Sequence, residues 1–389
     1  MRKVYIFHKI LSIMHHQFNI HLPNFGLKRE LSEIYFAIVL RAIALSMLGL
    51  FIPLYLFKEI NLGLTNIVYY YLLWAVVFAV TSFIAMKFAC KYGFKHCIFV
   101  SAPLDILALG LFYLLGKGYF PFWVPAIFVG IANAFFWSGF HVNFAKSSDK
   151  VKRGREVGFM YALIALFAVL GPFVGSVILT NFGFYALFGV VSVLLLIGVF
   201  PLILSEDGHD EINFRFKDVL RVFNFRDMFA FIGVGMRYMI ILVFWPLFVF
   251  LTLGTYLSLG IIATISTLIG AVFTFFVGKI CDKYDKRVLT RIGAFIHGIV
   301  FFFRGTVVGF ISVLFVDTLS ALSGTLGDVA TDARFYDKAN EISRPAYVVF
   351  RECSLTIGRV LVLLCILITG AIASSFILGG LGSLLWMLY

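Results

Sequence analysis

Gly278 to Arg287 reads GKICDKYDKR, and six of its ten residues are Lys, Arg or Asp. Long apolar stretches flank it on both sides, and charges are costly inside hydrocarbon, so the segment must be a tight turn at one face of a membrane. The rest of the composition agrees. Of 389 residues, 61% are hydrophobic and 13% charged, and the mean hydropathy is +1.00; a water-soluble domain keeps about a quarter of its residues charged. A net charge of +12 would suggest nucleic acid in a soluble protein. In a membrane protein it reflects orientation, because Lys and Arg collect in cytoplasmic loops, and no basic patch with interleaved stacking aromatics calls for a nucleic-acid partner.

A crossing needs about 20 apolar residues. Twelve segments qualify: span 1 (33–57), span 2 (66–86), span 3 (97–115), span 4 (121–145), span 5 (156–179), span 6 (183–204), span 7 (229–252), span 8 (256–278), span 9 (288–304), span 10 (308–330), span 11 (345–370) and span 12 (372–388). The expected fold is therefore an all-α membrane protein with 12 transmembrane helices. An even count leaves both termini on one side. That side carries 25 Lys and Arg, against Lys58, Lys117 and Arg304 on the other, which makes the termini cytoplasmic and the location the cell membrane. Residues 1–30 lack a cleavage site after an apolar core, so no removable signal is expected; Val4 to Met14 is expected to lie on the membrane surface as an amphipathic helix.

The chain repeats itself. Loop 87–96, KFACKYGFKH, aligns with GKICDKYDKR at an offset of 192, putting Cys90 opposite Asp282, Lys91 opposite Lys283, Tyr92 opposite Tyr284 and Lys95 opposite Arg287. Pro53 matches Pro246, and Asp149-Lys150 matches Asp337-Lys338. Two parallel six-helix bundles follow, 33–204 and 229–389, after an N-terminal cytoplasmic segment (1–32) and joined by a solvated linker (205–228). Twelve spans, a parallel repeat and two copies of one loop resemble the major facilitator superfamily. The second copy keeps the family pattern except that Asp285 stands where a Gly is usual; the first keeps Gly93 but has Met86 and Cys90 in place of the leading Gly and the acid. The resemblance implies a gate loop of Gly278, Asp282, Lys283, Lys286 and Arg287, with Asp282 pinning neighbouring cytoplasmic helix ends and Arg334 as its partner.

Ionisable residues within spans are functional candidates by default. In the resembled fold spans 1, 4, 7 and 10 line a central cavity, and here they carry Arg41, His141, Arg237 and Asp317. Arg41 and Arg237 lie about two turns from the cytoplasmic face, where a topological role through snorkelling stands beside a substrate role. His141 is an interfacial histidine with a backbone partner or a member of the site. In span 11, Glu352 and Arg359 are seven residues apart and share a face, with Arg351 at the shallow end. Arg359 near mid-membrane needs Glu352, Asp317 or a bound anion; the alternative is a structural ion pair. Asp105 and His297 also differ by 192. The resemblance makes their spans peripheral, which favours structural hydrogen bonding, while their chemistry keeps proton coupling open. Gly171-Pro172 with Gly175 resembles the family's antiporter element, although Phe167 stands where a small residue is usual and span 4 lacks the Arg of proton-coupled exporters.

No HExxH, GxSxG or phosphate loop occurs, so an enzyme is not expected, and the five cysteines form no disulfide or metal spacing; no cofactor is implied. The expected protein is a monomeric secondary transporter of a small molecule, leaning to proton-coupled export. A lipid or lysolipid flippase, or a sensor that kept the fold, are the alternatives.

Overall fold

A computed structural model describes residues 29–147, 153–204 and 212–389. The surface helix expected at Val4 to Met14, the Asp149-Lys150 pair and the acidic run of the linker lie outside the described residues. Every regular element among those described is helical.

Each half supplies six spans. Span 1 is the helix Arg29–Leu48, carried on by Ile52–Leu54 and a π turn at Tyr55–Glu59; spans 2, 3 and 4 are Leu64–Tyr92, Phe94–Gly116 and Trp123–Ser147. Span 5 begins as Arg153–Ala168, and Gly171–Leu204 holds both its second part and span 6. Two local causes divide this region. Pro172 cannot donate to the carbonyl of Ala168 and its ring crowds that group, so the helix breaks at Val169–Leu170. Gly183, at φ +76°, takes a backbone conformation that a side chain would oppose, and this separates spans 5 and 6.

After the short helix Phe216–Arg221, span 7 runs through Phe225–Met239, a π turn at Ile240–Phe244 and Trp245–Leu253. Spans 8 to 12 are Tyr256–Cys281, Lys286–Arg304, Phe310–Glu341, Arg344–Thr369 and Ile372–Trp386. The first helix of each half carries a π turn near its proline, at Tyr55–Glu59 after Pro53 and at Ile240–Phe244 before Pro246, so both helices are irregular there but not at equivalent positions.

The gate loop is short because Asp285 caps span 9, its side chain accepting from the Arg287 backbone N–H at 2.8 Å; an N-cap acid satisfies one of the orphan donors of the first turn. Span 10 is longer than expected. It continues to Glu341, three turns past the apolar limit at residue 330, and so carries Asp332, Tyr336 and Asp337 into the packed body.

Apolar packing falls into two layers. One, at the end rich in Lys and Arg, joins Val157 and Met160 of span 5 to Val277, Val329 and Phe335 of the other half. The second, toward the opposite end, joins Phe51 and Phe184 to Phe244 and Phe250. The halves touch at both ends. At the basic end spans 5 and 8 approach so closely that a Cβ on Gly158 would lie 2.5 Å from the Gly278 Cα. At the other end the Tyr256 ring meets Phe51 and Phe184 at 6.2 and 5.9 Å, and its hydroxyl donates to Glu59 at 3.2 Å.

Candidate functional site

Between the two layers lies a cavity of about 520 Å³. Its wall is largely apolar, with the rings of Tyr71, Trp74, Phe78, Trp137 and Tyr238 set among aliphatic side chains. Its polar floor is built from both halves. Arg351 is the hub: its guanidinium donates to Glu352 Oε1 at 2.9 Å, to Asp332 Oδ1 at 3.2 Å and to His141 Nε2 at 3.0 Å. An arginine only donates, so Nε2 of His141 is the unprotonated nitrogen. Its Nδ1–H then donates to the Tyr336 hydroxyl at 2.8 Å. Tyr161 of span 5 donates to Asp332. Spans 4 and 5 of one half are thus tied to spans 10 and 11 of the other by buried charge-assisted bonds.

Arg359 is a second cation on the wall of this cavity. Its Nη2 lies 3.9 Å from Glu352 Oε2, beyond a hydrogen bond, and its guanidinium stands 4.9 Å from the Phe78 ring centroid and 5.3 Å from that of Trp74. Its Nη1 is buried without a partner among the described residues. Asp317, expected as one candidate partner, does not serve it, because Asp317 is held elsewhere: Trp245 Nε1 donates to it at 2.8 Å and Arg304 lies at 3.7 Å. Arg304 is also not the loop charge expected from its place at the end of an apolar stretch. It is buried, donates to Ser320 at 2.6 Å and lies over the Trp245 ring at 4.3 Å.

Asp317 and Arg304 line a second cavity of about 720 Å³, walled by spans 7 to 10 and by spans 1 and 5 of the other half, which shares Gly49, Tyr161, Tyr238 and Leu242 with the first. Arg237 lies there too, bonded through both terminal nitrogens to Asp328 and covered by the Trp386 ring at 4.2 Å. His297 bonds Ser323 at 2.9 Å. Arg41 belongs to neither cavity. It is buried against Phe136 at 4.1 Å and paired with Asp105, whose residue lines the first cavity. Asp105 is therefore not peripheral but the counter-charge of Arg41.

At the basic end Asp282 accepts the Arg155 backbone N–H at 3.1 Å to each oxygen, with the Arg155 side chain at 3.7 Å. Its partner is the start of span 5, not Arg334, which stacks on Tyr389 at 4.5 Å within its own half. Lys286 donates to Asp337 at 2.6 Å, and Arg153 of the other half shares that carboxylate. Asp328, Asp332 and Tyr336 were not singled out from sequence, and Asp337 only as a landmark of the repeat. A signal existed: 328, 332 and 336 are spaced by four and share one helical face.

The Major Facilitator Superfamily model matches residues 34–335, more than half of the chain. The chain belongs to that superfamily. Solved members share its fold: FucP in an outward conformation, with 11% identity, 92% of this chain and 97% of that one covered and a TM-score of 0.68; the proton:xylose symporter XylE, with 14%, 92%, 93% and 0.68; and the human organic anion transporter TETRAN, with 11%, 92%, 98% and 0.65. No curated protein matches the chain. Membership makes the chain a multi-pass membrane transporter rather than an enzyme, with 12 helices in two bundles as expected.

Proposed function

We propose that this superfamily member is a monomeric secondary transporter of the cell membrane, with both termini cytoplasmic, that carries a small amphipathic molecule bearing an anionic group by alternating access. The observation that carries this reading is the floor of the first cavity. His141 and Tyr161 of one half meet Asp332, Tyr336, Arg351 and Glu352 of the other there, so a rocking motion that opened the basic end would have to break these bonds together. With Gly158 against Gly278 below and Tyr256 against Phe51 above, the arrangement corresponds to an occluded state.

Arg359 is the substrate contact. It has no hydrogen bond among the described residues, faces the aromatic cavity and needs a negative partner; a carboxylate or phosphate supplies paired acceptors for its planar fork. The ring-lined wall takes the apolar remainder. His141 is the coupling group. Protonation at Nε2 replaces an acceptor with a donor, which ejects the Arg351 bond and turns the imidazolium toward Glu352 Oε1 at 3.7 Å. Proton entry would then loosen the junction between halves, as a proton-coupled exporter requires. The gate residues Gly278, Asp282, Lys283, Lys286 and Arg287 act at the cytoplasmic end, Asp282 through span 5.

A lysolipid flippase is the second reading, favoured by the cavity's preponderance of rings over polar groups. A thermal-shift screen of the purified protein against organic anions and lysolipids, followed by counterflow of each stabilising compound in proteoliposomes, tests the assignment. Counterflow of an organic anion supports it. Counterflow of lysolipids alone selects the second reading, and stabilisation without counterflow of any compound points to a sensor.

A further inference from the structure

The linker between the halves reads in sequence as solvated, but the part of it around the short helix Phe216–Arg221 is packed into the protein. Phe214, Val219 and Val222 are buried in the apolar layer of the basic end. Val219 and Val222 are three apart, so they share one side of the turn, and that side is the one turned to the body. Residues 212–224 therefore form a strap with a fixed seat.

The seat crosses a seam. Spans 2 and 11 meet beside the first cavity, where the Arg359 guanidinium stands over Trp74 and Phe78, and toward the basic end the strap touches both of them. Ile212 donates its backbone N–H to the Cys90 carbonyl at 3.1 Å, one of the last carbonyls of span 2, which lack a partner within the helix. Phe216 packs on Phe83 of the same span at 5.3 Å. At the other end of the strap Phe223 meets Phe350 of span 11 at 5.9 Å and Phe225 of span 7 at 4.8 Å. The strap is thus rooted in the C-terminal half and grips the N-terminal half with its first residues. It also has a joint at each end: residues 212–215 take no regular structure, and the helix stops at Arg221 before Asn224 caps span 7 by accepting the Asp227 N–H at 3.1 Å. A short rigid unit between two irregular joints can swing as one piece.

We infer that residues 212–224 are a latch that holds span 2 to the C-terminal half while the basic end is closed and lets go of Phe83 and Cys90 as that end opens. Phe216 and Phe83 are positioning residues: they act by setting how often the basic end opens. Phe216 is 56% exposed, so the ring pair parts without uncovering a packed core, and a contact of that size is one a rocking step can break. The inference rests on the reading in which the two halves rock about the cavity, and it adds a junction at a different seam from the one that Gly158 and Gly278 close.

The reporter is Cys281, buried on span 8 beside that other seam. Its maleimide labelling in the purified full-length protein, read by mass spectrometry of the labelled peptide, follows opening of the basic end with no substrate present. Phe216→Ala and Phe83→Ala are each expected to speed it about tenfold, the equilibrium weight of one aromatic pair with part of its burial. The double variant should be no faster than the faster single, because both changes remove the same contact. Ile212→Pro deletes the donor to Cys90 and leaves span 2 unaltered; it should speed labelling about threefold. Leu220→Ala, on the exposed side of the strap, should leave the rate within twofold. Cys365, near the opposite end of span 11, should label no faster in any of these, which separates opening from general loosening. Unchanged Cys281 labelling in Phe216→Ala overturns the inference. So does a double variant in which the two effects multiply, and so does an equal acceleration at Cys365. Gly158→Ala tells which reading has failed: faster labelling there, with none in the strap variants, removes the latch and leaves the rocking halves standing, whereas no change in any variant removes the latch and counts against rocking as well.

Discussion

Arg351 serves three acceptors at once, Glu352 and Asp332 in its own half and His141 in the other, and its removal shows what kind of contact this is. Replacing it by Met would leave Asp332 and Glu352 buried with their main counter-charge gone. Breaking a buried pair from one side costs about 3–5 kcal/mol, so Arg351→Met should lower the melting temperature sharply. Adding Asp332→Asn and Glu352→Gln should restore most of the loss, because the stranded charges are then gone, while transport stays absent; differential scanning fluorimetry and counterflow separate the two effects. Arg359 behaves oppositely. It makes no hydrogen bond among the described residues and lies 3.9 Å from Glu352, which keeps Arg351, so Arg359→Gln should change stability by less than about 1 kcal/mol yet abolish counterflow of the anion. Wild-type counterflow in this variant would remove Arg359 from the mechanism. The sequence alone pointed to Arg359 through its depth and to Glu352 through a seven-residue spacing. It could not reveal that Arg351, one residue earlier, turns to the other half, because consecutive helical residues point about 100° apart and only the packing decides which face is internal.

At the scale of elements, span 10 explains most of what hydropathy missed. Its apolar run ends near residue 330, but the helix goes on to Glu341 because Asp332, Asp337 and Asn340 find partners in the facing half. Polarity that reads as a loop in one dimension is an interface in three. Arg304 is the same error in miniature: a cation at the end of an apolar run looks like a boundary marker, yet a carboxylate on the adjacent span lets it stay buried. The Gly278 position, by contrast, was legible, and the structure gives it a physical reason. Span 5 presses Gly158 onto it with backbone, not side chain, as the nearest neighbour, so nothing there can move aside. Gly158→Ala should push spans 5 and 8 apart at the basic end and bias the protein toward opening there. Cys281, buried close by, should then react faster with maleimide, as followed by mass spectrometry of the labelled peptide; unchanged labelling would mean that the contact does not hold that end closed.

For the molecule as a whole, the number of crossings, their pairing into like-oriented halves and the charge asymmetry were all carried by local features: apolar length, a repeated loop and the distribution of 32 Lys and Arg. How the halves meet was not, since each junction joins residues more than 100 apart, such as Arg155 with Asp282 and Glu59 with Tyr256. Those two junctions, at opposite ends, make the central mechanical prediction. If the halves rock about the cavity between them, the ends open in alternation, and holding either one shut must stop the cycle. With the native cysteines replaced by Ala, Arg155→Cys with Asp282→Cys staples the basic end through a short cleavable bifunctional thiol reagent, and Glu59→Cys with Tyr256→Cys staples the other. Each staple alone should abolish turnover, and cleaving it should restore turnover. The trapped forms should differ in access: in intact cells a membrane-impermeant reagent should reach a cysteine at Leu242, on the wall shared by both cavities, only when the basic end is the stapled one. Turnover that survives either staple would mean that substrate moves without that end opening, which two rocking bundles do not permit.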